Sequence, residues 1–252
     1  IVGPALSGFL YAAAPWIAYA TAACLIALGI TLVSRIKLKI ISDQPAKTEK
    51  PTLHSAMEGL RFIKRTPILL AAISLDLFAV LFGGAIALLP VIAKDQLLVG
   101  DVAYGWLRAA AGIGAASTAA LLAFKPIRRH VGRAMLIAVG VFGAGTIVLG
   151  LTHNYWVAFF AVMILSAGDR ISVFVRGAIV PLVTPDDKRG RVSAVENVFI
   201  GATNELGAFE SGAVSQLVGV KSTVVGGGIA TLGIVGIFWF KFKQLRNIDT
   251  FD

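Results

Sequence analysis

The chain has 252 residues, of which 57% are hydrophobic and only 15% charged, with a formal net charge of +9 and a mean hydropathy of +0.82. Soluble domains carry roughly 25% charged residues, so this composition excludes an ordinary water-soluble domain. The single cysteine, Cys24, excludes a disulfide framework within the chain.

The first apolar run, 1–14, is too short to cross a bilayer, and it begins without Met and without the basic n-region of a signal peptide. It reads as the end of a span, and the expectation is a fragment whose N-terminal portion is missing. Residues 16–34 hold nothing ionisable and suffice for a hydrocarbon core of about 30 Å at about 1.5 Å per helical residue.

The long polar segment 35–66 follows. Ser42, Asp43, Gln44, Pro45 and Pro51 read as a linker. Beyond them Leu53, Met57, Leu60 and Ile63 recur at helical spacing, with Glu58, Arg61, Lys64 and Arg65 between. Two readings stay open: an amphipathic helix at the membrane surface, its apolar face toward lipid or bundle, or the first turns of the next span. Either way the segment separates units 1–34 and 67–252.

Six more spans complete the chain, four with internal charges and two without. Span 68–93 contains Asp76, 103–124 contains Arg108, and 156–182 contains Asp169, Arg170 and Arg176. Span 192–217 contains Glu196, Glu205 and Glu210, whereas 134–151 and 223–240 contain no charge. A charge near the bilayer centre costs at least about 2.5 kcal/mol and survives where it faces a partner or water. The clean spans can therefore face lipid, and the charged ones line an interior. The predicted fold is an all-α integral membrane bundle with about seven full transmembrane helices and part of an eighth, laid out to conduct a solute.

Lys and Arg concentrate in alternate connections: 35–65, 125–133, 188–191 and 241–246, against Lys94 and Lys221 in the others. Short basic loops stay cytoplasmic, which predicts a multi-pass membrane protein with a cytoplasmic C-terminus. The net charge is thereby accounted for without a nucleic-acid partner. His54, His130 and His153 form no ligand cluster, and the chain has no H-E-x-x-H, no G-x-S-x-G and no ATP-binding G-x-x-x-x-G-K-[ST]. No enzyme, metal or cofactor is expected, and an ion gradient is left as the energy source.

In span 156–182, Asp169 and Arg176 are seven residues apart, so they share a face within about 20° and lie about 10 Å apart along the axis. They can bracket one solute or bridge to another helix. In span 192–217, Asn197, Asn204 and Ser211 form one seam, and Glu196, Thr203 and Glu210 an adjacent one; polar seams in an apolar helix must meet protein or water. Asp169, Glu205 or Glu210 is a candidate proton carrier, with Arg176 or Arg108 as its cationic neighbour, and Asp76 and Asn204 complete the predicted pathway. Glu196 beside Arg191 reads as a gate or interface ion pair. The alternative for all of them is a set of fixed interhelical salt bridges. Gly112, Ala116 and Ala120 form a small-residue stripe suited to close helix packing.

Gly3-Pro4-Ala5-Leu6-Ser7-Gly8 resembles the Gly-Pro-x-x-Gly-Gly motif on the fifth helix of drug and proton antiporters of the major facilitator superfamily, with Ser7 in place of one Gly. Residues 184–195, followed by Asn204-Glu205-Leu206-Gly207 and Phe209-Glu210-Ser211-Gly212, are similar to the branch that contains bacterial enterobactin-type exporters, as are Leu107-Arg108-Ala109-Ala110 and Ser172-Val173-Phe174-Val175-Arg176. Arg129-His130-Val131-Gly132-Arg133 echoes the family's Asp-Arg-x-Gly-Arg turn without its Asp. The resemblance implies that 1–34 is the end of helix 5 and helix 6, that 35–66 is the central cytoplasmic loop, and that 67–252 is the six-helix C-terminal half. It implies that Gly3, Pro4 and Gly8 act in the conformational change, with Pro4 bending its helix. It also implies proton-coupled export of small amphiphilic, siderophore-like or drug-like molecules by alternating access, with lipid, the solute and the absent N-terminal helices as partners. A nontransporting scaffold or sensor, or an inactive truncated product, is the rival expectation.

Overall fold

The structure is a computed structural model that describes residues 10–11, 13–35 and 53–249. Among the described residues there is no strand. The Gly3, Pro4 and Gly8 motif and the linker half of 35–66 lie outside them.

Helix α1, Pro15–Ser34, starts on a proline, whose missing N–H falls where a helix has no internal acceptor. No α1 side chain is buried. Helix α2, Leu53–Arg65, is separate from α3, Pro67–Phe82. The break is dictated by sequence: a residue before proline is pushed out of the right-handed helical region, and Thr66 sits at φ −108°, ψ 98°. Of the two readings of this segment, the structure takes the separate helix, and its apolar face meets protein. Ile63 is buried with Val192, Val195, Leu69, Ile73 and Val180.

The run expected as one uninterrupted span over 68–93 is broken. Helix α3 stops at Gly83, and a 3₁₀ turn Gly84–Ile86, a single helical turn Leu89–Val91 and a widened turn Ile92–Gln96 carry the chain onward. Gly83-Gly84 and Pro90 are the local cause, because glycine weakens a helix and proline removes a donor. The apolar run hid a break that only these residues signalled. Gly84 is also required by packing: a Cβ there would overlap Ser211 Oγ and lie 2.9 Å from the Gly207 carbonyl oxygen.

Helices α4 (Asp101–Phe124), α5 (Val131–Leu151), α6 (Tyr155–Val183), α7 (Asp186–Val218) and α8 (Val220–Lys241) follow, then the short α9 (Lys243–Arg246). Six helical stretches among the described residues are long and apolar enough to cross a membrane. The seventh expected span lies within α7, a continuous helix of 33 residues whose glutamates keep it less apolar than the rest. The charge-free spans do not share one environment: α1 has no buried side chain, whereas α5, expected to face lipid, is the most buried of the candidate spans because it is packed between α6 and α8. Helix α6 is central. It packs against α4 and α5; α5 packs against α8, and α3 against α7, α8 and α6. We call the side that holds the starts of α3, α5 and α7 and the ends of α6 and α8 the basic end.

The small-residue face of α4 differs from the expected stripe. Gly105, Leu107, Ala109, Ala110, Gly114, Thr118 and Leu122 are its buried positions, whereas Ala120 of the expected stripe is exposed. A Cβ on Gly114 would overlap the Met163 carbonyl oxygen of α6, so the backbones meet there. Overpacking at such a contact costs about 1–3 kcal/mol. Gly114→Ala should lower the thermal unfolding midpoint in detergent, while Gly140→Ala, where the added carbon meets nothing within 4 Å, should leave it unchanged. Equal midpoints for both variants would show that α4 and α6 are not in backbone contact.

Candidate functional site

The break in α3 opens a polar cavity of about 510 Å³, within the usual 300–1,000 Å³ of small-molecule sites. Val80, Gly83, Gly84, Ile86 and Ala87 form one wall, Phe142 of α5 contributes an aromatic surface, and Arg108, Asp169, Asn204 and Glu205 bring charge from α4, α6 and α7. All four of these polar residues were predicted from sequence, and the fold brings them to one place. Arg108 Nη1 donates to the hydroxyl of Tyr104 one turn away, at 3.2 Å. Arg108, Asn204 and Glu205 are exposed and Asp169 half-buried, so the cavity opens to one side. Its chemistry is amphiphilic: two carboxylates, a guanidinium and an amide beside apolar walls.

A larger cavity of about 700 Å³ lies at the starts of α4 and α6, lined by Gly100, Asp101, Val102, Ala103, Trp106, Tyr155, Trp156 and Phe159. Its lining is nearly all aromatic and aliphatic, and it holds none of the predicted residues. A specific site requires convergent polar groups in an apolar setting, and the cavity at the α3 break has them.

Of the two readings of Arg176, a place beside the solute with Asp169 or a bridge to another helix, the structure shows the bridge. Arg176 lies about two turns, or about 10 Å, nearer the basic end than Asp169, and its side chain is 5% exposed. Its Nη1 donates to Asp76 Oδ2 of α3, and its Nε lies 3.1 Å from Glu196 Oε1 of α7. Ser172, one turn before Arg176, donates from Oγ to Asp76 Oδ1 at 3.1 Å. Helices α3, α6 and α7 are thus tied by one buried ionic cluster. The helical register explains why: positions 169, 172 and 176 form one stripe on α6, whose upper level meets the cavity and lower level meets Asp76. Sequence reasoning missed Ser172, although its spacing of four from Arg176 was the available signal.

Glu196 was expected beside Arg191; it meets Arg176 instead of merely bordering the loop. Arg191 Nη1 donates to Glu58 Oε2 of α2 at 2.7 Å, and Lys188 Nζ sits 5.2 Å from the centre of the Phe62 ring. These contacts fix α2 on the start of α7. Glu210 lies away from the cavity lining, with Ser211 Oγ donating to its Oε2 at 3.4 Å. Arg170 is exposed.

At the Arg129–Arg133 turn the structure supplies a carboxylate that the local sequence lacks. His130, at φ 55°, precedes α5, and its backbone N–H donates to Asp249 Oδ1 at 3.0 Å. The Gly132 N–H donates to the Ile248 carbonyl at 3.2 Å. An acceptor at a helix start satisfies donors that the helix leaves open, and residues more than a hundred positions away cannot be paired by inspecting a turn. Among the described residues, no group of His, Cys, Asp or Glu is placed to hold a metal ion.

The profile of a family described as transmembrane secretion effector matches residues 1–252. The multidrug efflux pump Tap of Mycolicibacterium fortuitum is 27% identical over 267 aligned positions, covering 99% of this chain. The chain spans 61% of the length of that pump.

Proposed function

The chain belongs to the transmembrane secretion effector family of the major facilitator superfamily, and on that premise we propose that it is part of a proton-coupled exporter of small amphiphilic molecules, drug-like or siderophore-like. The observation that carries this reading is the cavity at the α3 break, which gathers Arg108, Asp169, Asn204 and Glu205 from three helices. In this reading a solute lies on Phe142 and the apolar wall of α3, while Asp169 or Glu205 exchanges a proton for it. Arg108 supplies the cationic side of the same cavity. Alternating access then moves one helical half against another around a site near the midplane. The exposed apolar side chains of α7, among them Val198, Leu206 and Phe209, support a further helical half against this face, as does the length of the pump to which the chain is similar. The energy source is a proton gradient, and the setting is a bacterial inner membrane with the basic end cytoplasmic.

Two measurements test the reading. In proteoliposomes holding the full-length protein, an imposed pH gradient should drive accumulation of rhodamine 6G, and collapsing the gradient with a protonophore should abolish it. Uptake that is indifferent to the gradient would overturn proton coupling. The orientation has its own test: reporters placed after Asp252 and within 46–51 should be active only in the cytoplasm, and one near Val99 only on the far side. A C-terminal reporter found outside would invalidate the assigned orientation and the span count behind it.

A further inference from the structure

The buried cluster below the cavity is not balanced in charge: Arg176 is one cation, and Asp76 and Glu196 are two potential anions. Their side chains are 5%, 7% and 13% exposed respectively. A net buried charge without water or a counter-ion carries a large desolvation penalty, so the cluster is stable with one of its carboxylates protonated.

The hydrogen bonds decide which one. Asp76 receives a donor at each oxygen, Ser172 Oγ at Oδ1 and Arg176 Nη1 at Oδ2, so both of its oxygens are engaged as acceptors. Among the described residues, Glu196 has the flank of the guanidinium, with Nε at 3.1 Å.

Among the described residues, no other cation in the packed elements is placed to compensate it. On α7, Arg191 is held by Glu58 of α2 at 2.7 Å. On α6, Asp169 faces the cavity and Arg170 is exposed. The ionisable residues of α5 and α8 stand at their ends, Arg133, Lys221 and Lys241, and α9 adds Lys243 and Arg246 at the basic end. On α2, Arg61, Lys64 and Arg65 are exposed or near the surface. Apart from Asp76, α3 has no ionisable residue.

We propose that Glu196 is a proton-binding carboxylate, and that it lies on the route by which protons pass between the cavity and the basic end. The levels fit such a route. Asp169 stands in the cavity, Arg176 and Glu196 lie about 10 Å closer to the basic end, and Arg191 follows about 7 Å further on. Arg191 meets Glu58, whose side chain is 38% exposed. A proton released from Asp169 enters the cluster at Glu196 and makes it neutral; its departure past Glu58 leaves an excess charge that recruits the next. The route rests on the export reading, whereas the protonated state of Glu196 does not.

The test uses the full-length protein in lipid nanodiscs and in proteoliposomes, as wild type and as Glu196→Gln. Infrared difference spectra across a pH jump should show a protonated-carboxyl band in the wild type that is lost in Glu196→Gln, while the thermal midpoint is kept, because Gln reproduces the neutral form. Rhodamine 6G should release protons from wild-type proteoliposomes, and Glu196→Gln should lower that release at least tenfold with dye binding retained. A band that persists in Glu196→Gln overturns the proposal, and so does a variant that fails to fold, since the ionised form would then be the one the cluster needs. If the band is lost but coupling equals wild type, the route is overturned and Glu196 is only a stored proton. If the band is lost and even the wild type releases no protons, the export reading fails while the protonated Glu196 stands.

Discussion

Arg176→Ala should leave little folded protein, because it strips the one cation from a cluster that holds two carboxylates. Removing one partner of a buried ion pair costs about 3–5 kcal/mol, a large part of a total stability of about 5–15 kcal/mol. Asp76 would keep only the Ser172 hydroxyl as a donor, and α3, α6 and α7 would lose the contact that joins them. Asp76→Asn should be milder, since Glu196 remains beside Arg176 at 3.1 Å and can ionise in its place. Neutralising all three positions, as Arg176→Met, Asp76→Asn and Glu196→Gln together, should restore folding, because apolar or neutral replacements of buried ion pairs are often well tolerated. The measurement is the monodisperse fraction in detergent and its thermal midpoint for the four proteins. An Arg176→Ala variant as stable as wild type would show that the cluster does not hold these helices together, and a triple variant no better than the single one would show that charge imbalance is not the cause.

What the sequence displayed and what it hid follow from the range of each signal. Hydropathy is a local property, so α4, α5, α6 and α8 were legible to about three residues at each end, whereas α3 ends well before its apolar run does. The separate helix α2 was readable from its spacing, but which surface its apolar face meets depended on Val192 and Val195, far along the chain. Charge sorting placed Arg108, Asp169, Asn204 and Glu205 in the interior, and the cavity contains all four. Pairing within the interior was not legible: the seven-residue spacing of Asp169 and Arg176 gave a shared stripe, yet the stripe meets the cavity at one level and Asp76 at the next. That choice is made by the register of α3 against α6, which no spacing within one helix encodes. The break after Phe82 was hidden for a different reason. An apolar run satisfies a hydropathy window whether or not it is helical throughout, and only Gly83, Gly84 and Pro90 marked where the helix gives way to the cavity wall.

That wall and its charges lead to the largest expected functional effect. Asp169→Asn preserves the shape of the side chain and removes its proton and its charge, so the full-length protein should insert and fold while gradient-driven export of rhodamine 6G falls steeply. A hydrogen bond to a charged group contributes about 1.5–3 kcal/mol, which corresponds to roughly a tenfold to hundredfold loss in affinity; loss of the exchangeable proton should add a defect in coupling that a higher dye concentration does not repair. Arg108→Gln should act differently. It takes away the guanidinium that lines the same cavity and donates to the Tyr104 hydroxyl, so it should shift the pH dependence of export without abolishing it. The pair of variants separates a proton carrier from its electrostatic neighbour. Proton release measured alongside dye movement decides the matter: if Asp169→Asn still releases protons with wild-type stoichiometry, Asp169 is eliminated as the carrier. Glu205, which lines the same cavity, then becomes the group to replace with Gln, and Glu210, held away from the lining beside Ser211, should show no comparable loss.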